Sequence, residues 1–299
     1  MNYFKKYLAY LVFGLFVLCI FFVYLWYIGR LPTELEMHIF DTKSKPSIFI
    51  RTPQDERILI NGGANSDIIR HITSVLPFYL RRIDMIIVTN DDPSNVTGLI
   101  DVISRYQIGK IIIPALTIKS LSLSSSTDQI YDTFRKTIDA LKIPIVQVKG
   151  GDRVRLGTEL DATILFPTST TTFTYSKASS PELVMRMLYR ETSFLLVGDI
   201  SSKIQKYVAH STSTAQYLLS DILFIPHSIN GNSLSSDLID EVHPKFVVYS
   251  QSPTTSTKSK KIDPLYSVMD DHRFNLKQKN TIMVLSDGKS ARIDGEYAN

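Results

Sequence analysis

Between Thr89 and Gly98 the chain carries Asn90, Asp91, Asp92, Ser94 and Asn95, a dense set of carboxylate, amide and hydroxyl groups in one short loop. Adjacent carboxylates such as Asp91 and Asp92 are ligand types that Mg²⁺ and Mn²⁺ accept together with water. Zinc sites are built from imidazole, thiolate and carboxylate, and neutral amides or hydroxyls serve that ion poorly. A second polar corner, Asn61-Gly62-Gly63, follows the short apolar stretch Arg57-Ile-Leu-Ile60.

Both corners need elements to hold them. The run Met85-Ile-Ile-Val88 has no polar alternation and is rich in β-branched residues, which suits a strand buried on both faces of a layered α/β protein. Pro93 and Ser94 end it, and Val96, Leu99, Ile100, Val102 and Ile103 then recur at helical spacing. The polar loop is therefore a strand-to-helix corner. Arg57 to Gly63 repeats the design, with glycines that tolerate positive φ and close backbone approach. Two strand ends then face one cleft.

The order strand, Ile-x-Gly-Gly, helix, strand, Thr-x₈-Gly resembles the metallo-β-lactamase superfamily, and within it the extracellular domain of the ComEC/Rec2 DNA-uptake proteins. In that family the corners read Ile-Asp-Gly-Gly and Thr-His-x-His-x-Asp-His-x-x-Gly and hold a pair of metal ions. Aligned on Thr89 and Gly98, the three histidines fall on Asn90, Asp92 and Asn95 and the aspartate on Ser94. The acid before the double glycine is Asn61. The resemblance also places Asp199, in Leu196-Val-Gly-Asp199, at a metal-bridging aspartate, and His227 at the first histidine of a Gly-His-His-Gly-Ser motif. The first hairpin pattern, Asp-Val-Gly-Gln-Gly-Asp-Ala, is here Asp41-Thr-Lys-Ser-Lys-Pro-Ser47 and keeps only its first acid.

The resemblance thus implies a four-layer αββα sandwich whose positions Asn61, Asn90, Asp92, Ser94, Asn95, Asp199 and His227 are vestiges of a metal site. A bridging water of lowered pKa is the nucleophile of such a centre, and with most ligands changed the reading is a pseudoenzyme with no metal expected and a binding or assembly role. The alternative is a phosphodiesterase-like or nuclease-like hydrolase in which Asp91, Asp92, Asp199 and His227 hold Mg²⁺ or Mn²⁺, zinc being disfavoured. For Asp199 a cap on a helix from Ile200 to Ala209 is a further reading, since Asp accepts backbone N–H bonds there.

Leu8 to Ile28 contains no charge, and about 20 apolar residues span a bilayer. Lys5 and Lys6 precede the stretch, Arg30 follows it, and Tyr24, Trp26 and Tyr27 sit where an interfacial belt belongs. A cleaved signal fits worse, because the apolar region is long and no small-residue cleavage pattern follows; Leu18 is a poor residue before a lipidated Cys19. We expect a cytoplasmic N-terminus over 1–6, a transmembrane anchor over 7–28, and one extracytoplasmic domain over 31–299 at the cell membrane.

Composition narrows the rest. The 33 basic and 29 acidic residues leave a net charge of +4, too balanced for a strong nucleic-acid field. The single cysteine lies in the anchor, so the domain has neither disulfides nor thiolate metal sites. Helices are expected over Ile68–Leu80, with Ser66 or Asp67 capping, over Asp128–Leu141 and over Asp263–His272. Further strands are expected at Leu35–Phe40, Ser47–Arg51, Lys110–Pro114, Ile145–Val148, Arg153–Leu156, Leu160–Phe166, Glu182–Tyr189, Ser193–Val197, Asp221–Ile225 and Phe246–Tyr249, with a closing hairpin about Asp287-Gly288. Gly150-Gly151-Asp152 is read as a turn between Ile145–Val148 and Arg153–Leu156, the polar run Thr117–Thr127 as a solvated connection with a lid over the cleft as the alternative, and Thr168–Ser180 as a long exposed loop. Lys258, Lys260 and Lys261 offer at most a weak, salt-sensitive DNA contact, so a protein or cell-envelope partner stands equal to DNA.

Overall fold

A computed structural model of the chain describes residues 2–29, 31–42, 45–90, 92–115, 126–168, 182–211, 214–225, 234–250 and 268–294. Helix α1 (Asn2–Ile28) leads into strands β1 (Leu35–Phe40), β2 (Ser47–Arg51) and β3 (Arg57–Ile60). Helix α2 (Asp67–Val75), β4 (Arg82–Ile87), α3 (Pro93–Arg105), β5 (Gln107–Pro114), α4 (Ser126–Ala140) and β6 (Ile145–Val148) follow in alternation. The second half comprises β7 (Arg153–Arg155), β8 (Leu160–Phe166), β9 (Val184–Tyr189), β10 (Thr192–Val197), α5 (Ser202–His210), β11 (Ile222–Ile225), α6 (Ser236–Val242) and β12 (Phe246–Tyr249). It closes with β13 (Arg273–Asn275), α7 (Leu276–Lys279), β14 (Thr281–Ser286) and β15 (Ala291–Asp294).

These strands form two sheets, ordered β15-β14-β1-β2-β3-β4-β5-β6 and β13-β12-β11-β10-β9-β8-β7. The alternation of each strand divides its side chains between two cores. In β2, Ile48 and Ile50 point between the sheets while Phe49 meets the helices; in β10, Phe194 and Leu196 face inward while Leu195 and Val197 face out. Helices α2, α3 and α4 cover the first sheet through residues such as Ile72, Leu99 and Ile138, and α5 and α6 cover the second through Val208 and Leu238. The result is the expected four-layer αββα sandwich. Strands covered on both faces have no reason to alternate polar with apolar, which explains the continuous apolar runs. Each fully buried Ile or Leu contributes about 1.5–3 kcal/mol, so three such cores hold the layers firmly.

Several local expectations are corrected. Helix α2 stops at Val75 rather than Leu80, because Pro77 excludes helical geometry at the preceding residue and Leu76 is extended at ψ 133°. Its first turn is bonded by Asn65, whose Oδ1 accepts from the Asp67 N–H at 2.9 Å, while the Ser66 hydroxyl donates to Asp101. Strand β6 pairs with β5 at the edge of the first sheet, so the expected turn at Gly150-Gly151-Asp152, closed by the Asp152 N–H donating to the Lys149 carbonyl at 3.0 Å, carries the chain from one sheet to the other. Strand β13, which the sequence reading did not place, lies parallel beside Phe246–Tyr249 at the edge of the second sheet. Helix α5 begins at Ser202 with Ser201 preceding it, which removes Asp199 from the capping position. Of the expected helix Asp263–His272 only the part from 268 is described, and Asp270–His272 forms a 3₁₀ turn. Most of the two polar runs lies outside the described residues.

Candidate functional site

The carboxyl ends of β3 and β4 carry the two polar corners. Asn61 turns out of β3 with φ 59°, a left-handed conformation that Asn tolerates, and its N–H donates to the Ile87 carbonyl at 2.9 Å. The Asn61 amide Nδ2 donates to the Thr89 hydroxyl at 2.9 Å, and the Thr89 N–H donates back to Asn61 Oδ1 at 3.0 Å. Gly62 donates to the Asn95 carbonyl at 2.7 Å and Gly98 to the Gly63 carbonyl at 3.0 Å, which clamps the two corners. A Cβ on Gly98 would overlap the Gly62 carbonyl oxygen, so the clamp admits glycine alone. Within the second corner, Asn90 Oδ1 accepts from the Asp92 N–H at 3.1 Å and from the Asn95 amide. Asp92 caps α3, its Oδ1 accepting from the Ser94 N–H at 2.8 Å and the Ser94 hydroxyl at 2.6 Å.

Two residues that the sequence reading missed complete the cleft. Lys45, from the loop between β1 and β2, sets its Nζ 2.9 Å from Asp92 Oδ2. Glu182, only 4 % exposed, accepts through Oε2 from the Asp199 N–H, and the Leu183 N–H beside it donates to the Thr89 carbonyl at 2.8 Å. Burial opposes charge on Lys45, yet the carboxylates of Glu182, Asp92 and Asp199 raise its pKa above the ordinary value. Burial likewise pushes Asp92 up, and the Ser94 hydroxyl with the Lys45 ammonium outweighs it and holds that carboxyl below its usual range. Glu182 is pushed up to about 7, first by burial, with Lys45 opposing and the charge of Asp199 adding to the rise. The floor, lined by Ile48, Ile60, Asn61, Thr89, Glu182 and Gly198 among others, leaves a cavity of about 10 Å³, room for roughly one water.

The predicted positions Asn61, Asn90, Asp92, Ser94, Asn95 and Asp199 do therefore converge on one end of the sandwich. Asp91 and His227 lie outside the described residues. Lys45 had a signal in the sequence, standing where the resembling hairpin has glycine; Glu182 had only that of a lone acid at the head of an apolar strand.

Among solved structures, 240 chains match this arrangement. The metallo-β-lactamase-fold protein YhfI from Bacillus subtilis superposes with a TM-score of 0.51 at 8 % identity, covering 81 % of this chain and 95 % of its own. The chain has the metallo-β-lactamase fold. Zn²⁺-bound PqqB from Methylobacterium extorquens matches at a TM-score of 0.47 and 13 % identity, over 79 % of this chain and 86 % of that one. No protein-family model and no curated protein matches the sequence.

The metallo-β-lactamase fold implies metal ions at this cleft, and the described residues there do not fit them. Asn61, Asn90 and Ser94 spend their groups on Thr89, Asn95 and Asp92, all in bonds that hold the corners together. Asp92 is shared between the α3 cap and an ammonium group. Among the described residues no three His, Cys, Asp or Glu side chains are grouped so as to hold a metal ion. A dication beside Lys45 would meet a positive charge already neutralising the local carboxylates, and repulsion at such short range is severe in a partly buried site. Among the described residues the arrangement holds its loops and does not assemble a donor set for activating water; Asp91 and His227 lie outside those residues.

Proposed function

We propose that the chain is a membrane-anchored metallo-β-lactamase-fold module, related to the ComEC/Rec2 proteins, that binds or assembles at the outer face of the cell membrane without a catalytic metal. The Lys45–Asp92 ion pair carries this reading, because a cation supplied by the chain itself stands among the carboxylates that would otherwise attract a metal. Helix α1 supports the anchoring, since Lys6–Leu25 is long and apolar enough to cross a membrane.

Elemental analysis of the detergent-solubilised full chain after equilibration with Zn²⁺, Mn²⁺ and Mg²⁺, paired with hydrolysis of a generic phosphodiester, tests the reading. Substoichiometric metal and no turnover are expected. Stoichiometric metal that is lost in Asp92→Ala or Asp199→Ala would establish instead the hydrolase reading with Asp91, Asp92, Asp199 and His227 as ligands. Titration of the same protein with single- and double-stranded DNA is expected to show weak binding that disappears at physiological salt, because few phosphates can be neutralised. Binding that survives such salt and weakens when Lys258, Lys260 and Lys261 become Ala would make DNA the partner.

A further inference from the structure

The direction of the strands sets where α1 joins the domain. β1 and β3 both run antiparallel to β2, while β3, β4, β5 and β6 are mutually parallel. The amino ends of β1, β3, β4, β5 and β6 therefore share one end of the first sheet, and the cleft lies at the other, beyond Ile60 and Ile87. At the amino end Ser286 of β14 pairs with Leu35, and the Thr192 and Ser286 hydroxyls meet at 2.7 Å. The Glu191 N–H donates to the Gly288 carbonyl at 2.8 Å nearby. The start of β10, and with it the starts of the parallel strands β11, β12 and β13, thus belongs to the end at which α1 enters. Only residues 29–34 separate α1 from β1, at most about 20 Å of extended chain.

The exposed apolar residues of the domain are distributed unevenly with respect to these two ends. Outside α1, most of the large apolar side chains that are exposed among the described residues lie at or beside the α1 end; Ile145 and Val146, paired with Ile111 and Ile112, stand instead level with the last residues of β3 and β4. Phe78 (79 % exposed) and Tyr79 stand in the loop before β4, and Leu141 (53 %) lies just before β6. Leu219 (61 %) precedes β11, and Met269 (66 %) precedes β13. Arg81, Arg82, Arg105 and Lys142 are exposed around the first of these, with Asp84 paired to Arg82. β4 lies three strands from β1, a lateral distance of about 14 Å, so Phe78 is within reach of any surface that α1 enters. Aromatic rings beside basic side chains suit the headgroup layer of a bilayer, where the rings enter the apolar boundary and the cations meet phosphates.

Resting on the reading of α1 as a bilayer anchor, we propose that this end of the sandwich lies on the lipid headgroups of the same membrane, through Phe78, Leu141, Leu219 and Met269, so that the cleft is held facing away from it. The partner is the lipid surface itself, favoured because the chain enters the bilayer at that end through a short tether.

The test uses the full chain in proteoliposomes of phosphatidylcholine and phosphatidylglycerol. In a Cys19→Ser background, single cysteines replace Phe78, Leu141, Leu219 or, at the cleft end on α5, Lys203, each labelled with an environment-sensitive dye. Quenching by headgroup-level spin-labelled lipid is expected to be several-fold stronger at 78, 141 and 219 than at 203. Arg81→Glu with Arg82→Glu is expected to reduce it at 78 in the anionic vesicles. Carbonate extraction run alongside separates the two levels of failure. A chain retained in the bilayer with labels at 78, 141 and 219 no more quenched than at 203 would overturn the docked orientation alone. A chain released by carbonate would overturn the anchor and this inference with it.

Discussion

An ammonium group set among carboxylates in this cleft changes what each neighbouring side chain contributes. Lys45, with an 11 % exposed side chain, faces Asp92 directly and Glu182 and Asp199 through the low-dielectric floor. Removing it as Lys45→Met leaves these carboxylates to repel one another, at a cost to stability of about 2 kcal/mol. Urea unfolding should show that loss, and Lys45→Met combined with Glu182→Gln should recover part of it, since the neutral amide no longer needs the cation. Strict additivity of the two changes would mean that the pair does not interact. At this scale the site was half legible in the sequence. Asn61, Asn90, Asp92 and Asn95 are readable because the strand-to-helix corner places them by local rules, whereas Lys45 and Glu182 come from distant segments that only the stacked sheets bring to the same end.

Elements supply the clamp that makes those residues neighbours. Gly98 lies where the first turns of α3 touch the corner after β3, and Gly98→Ala drives a methyl group into backbone that cannot retreat. A destabilisation of about 2–3 kcal/mol is expected, measured by thermal or urea unfolding. On the far side, Asp221 ties three strands together at the head of β11. Its Oδ2 accepts the Ser193 N–H at 2.9 Å, and its Oδ1 pairs with Lys245 Nζ at 2.7 Å. Burial raises its pKa, but Lys245 and Ser193 outweigh that and hold the carboxyl below its ordinary value. A lowered folded pKa means that stability is gained above the unfolded value near 3.8 and lost as pH falls through the folded one. The deficit of Asp221→Asn against the unaltered chain should thus be full at pH 7 and shrink toward pH 3; a deficit that is constant with pH would refute the role. Strands were legible wherever both faces are covered, as in Met85–Val88 and Phe194–Val197, because burial alone dictates the run. Which sheet a strand joins was not: β6 reads like β7 and β8, and β13, three residues that include Arg273, is too short for any period.

As a whole, the chain is a rigid sandwich on a short tether behind one apolar helix. If Lys5 and Lys6 hold the N-terminus inside, as proposed, protease added to wall-stripped cells should digest the domain while sparing α1; a protected domain would reverse the orientation. The strand direction that joins α1 to the amino end of β1 also sets an altitude. The six residues of β4 separate the two ends of the sheet by about 20 Å, more than twice the Debye length of about 8 Å at physiological salt. In the docked orientation proposed above, charged groups at the cleft would therefore sit beyond the electrostatic reach of the lipid surface. Lys45 and Asp92 would then be left to sample the ions and solutes of the bulk medium, and every copy in one membrane would present them at the same height, as a layer parallel to the bilayer and spaced away from it.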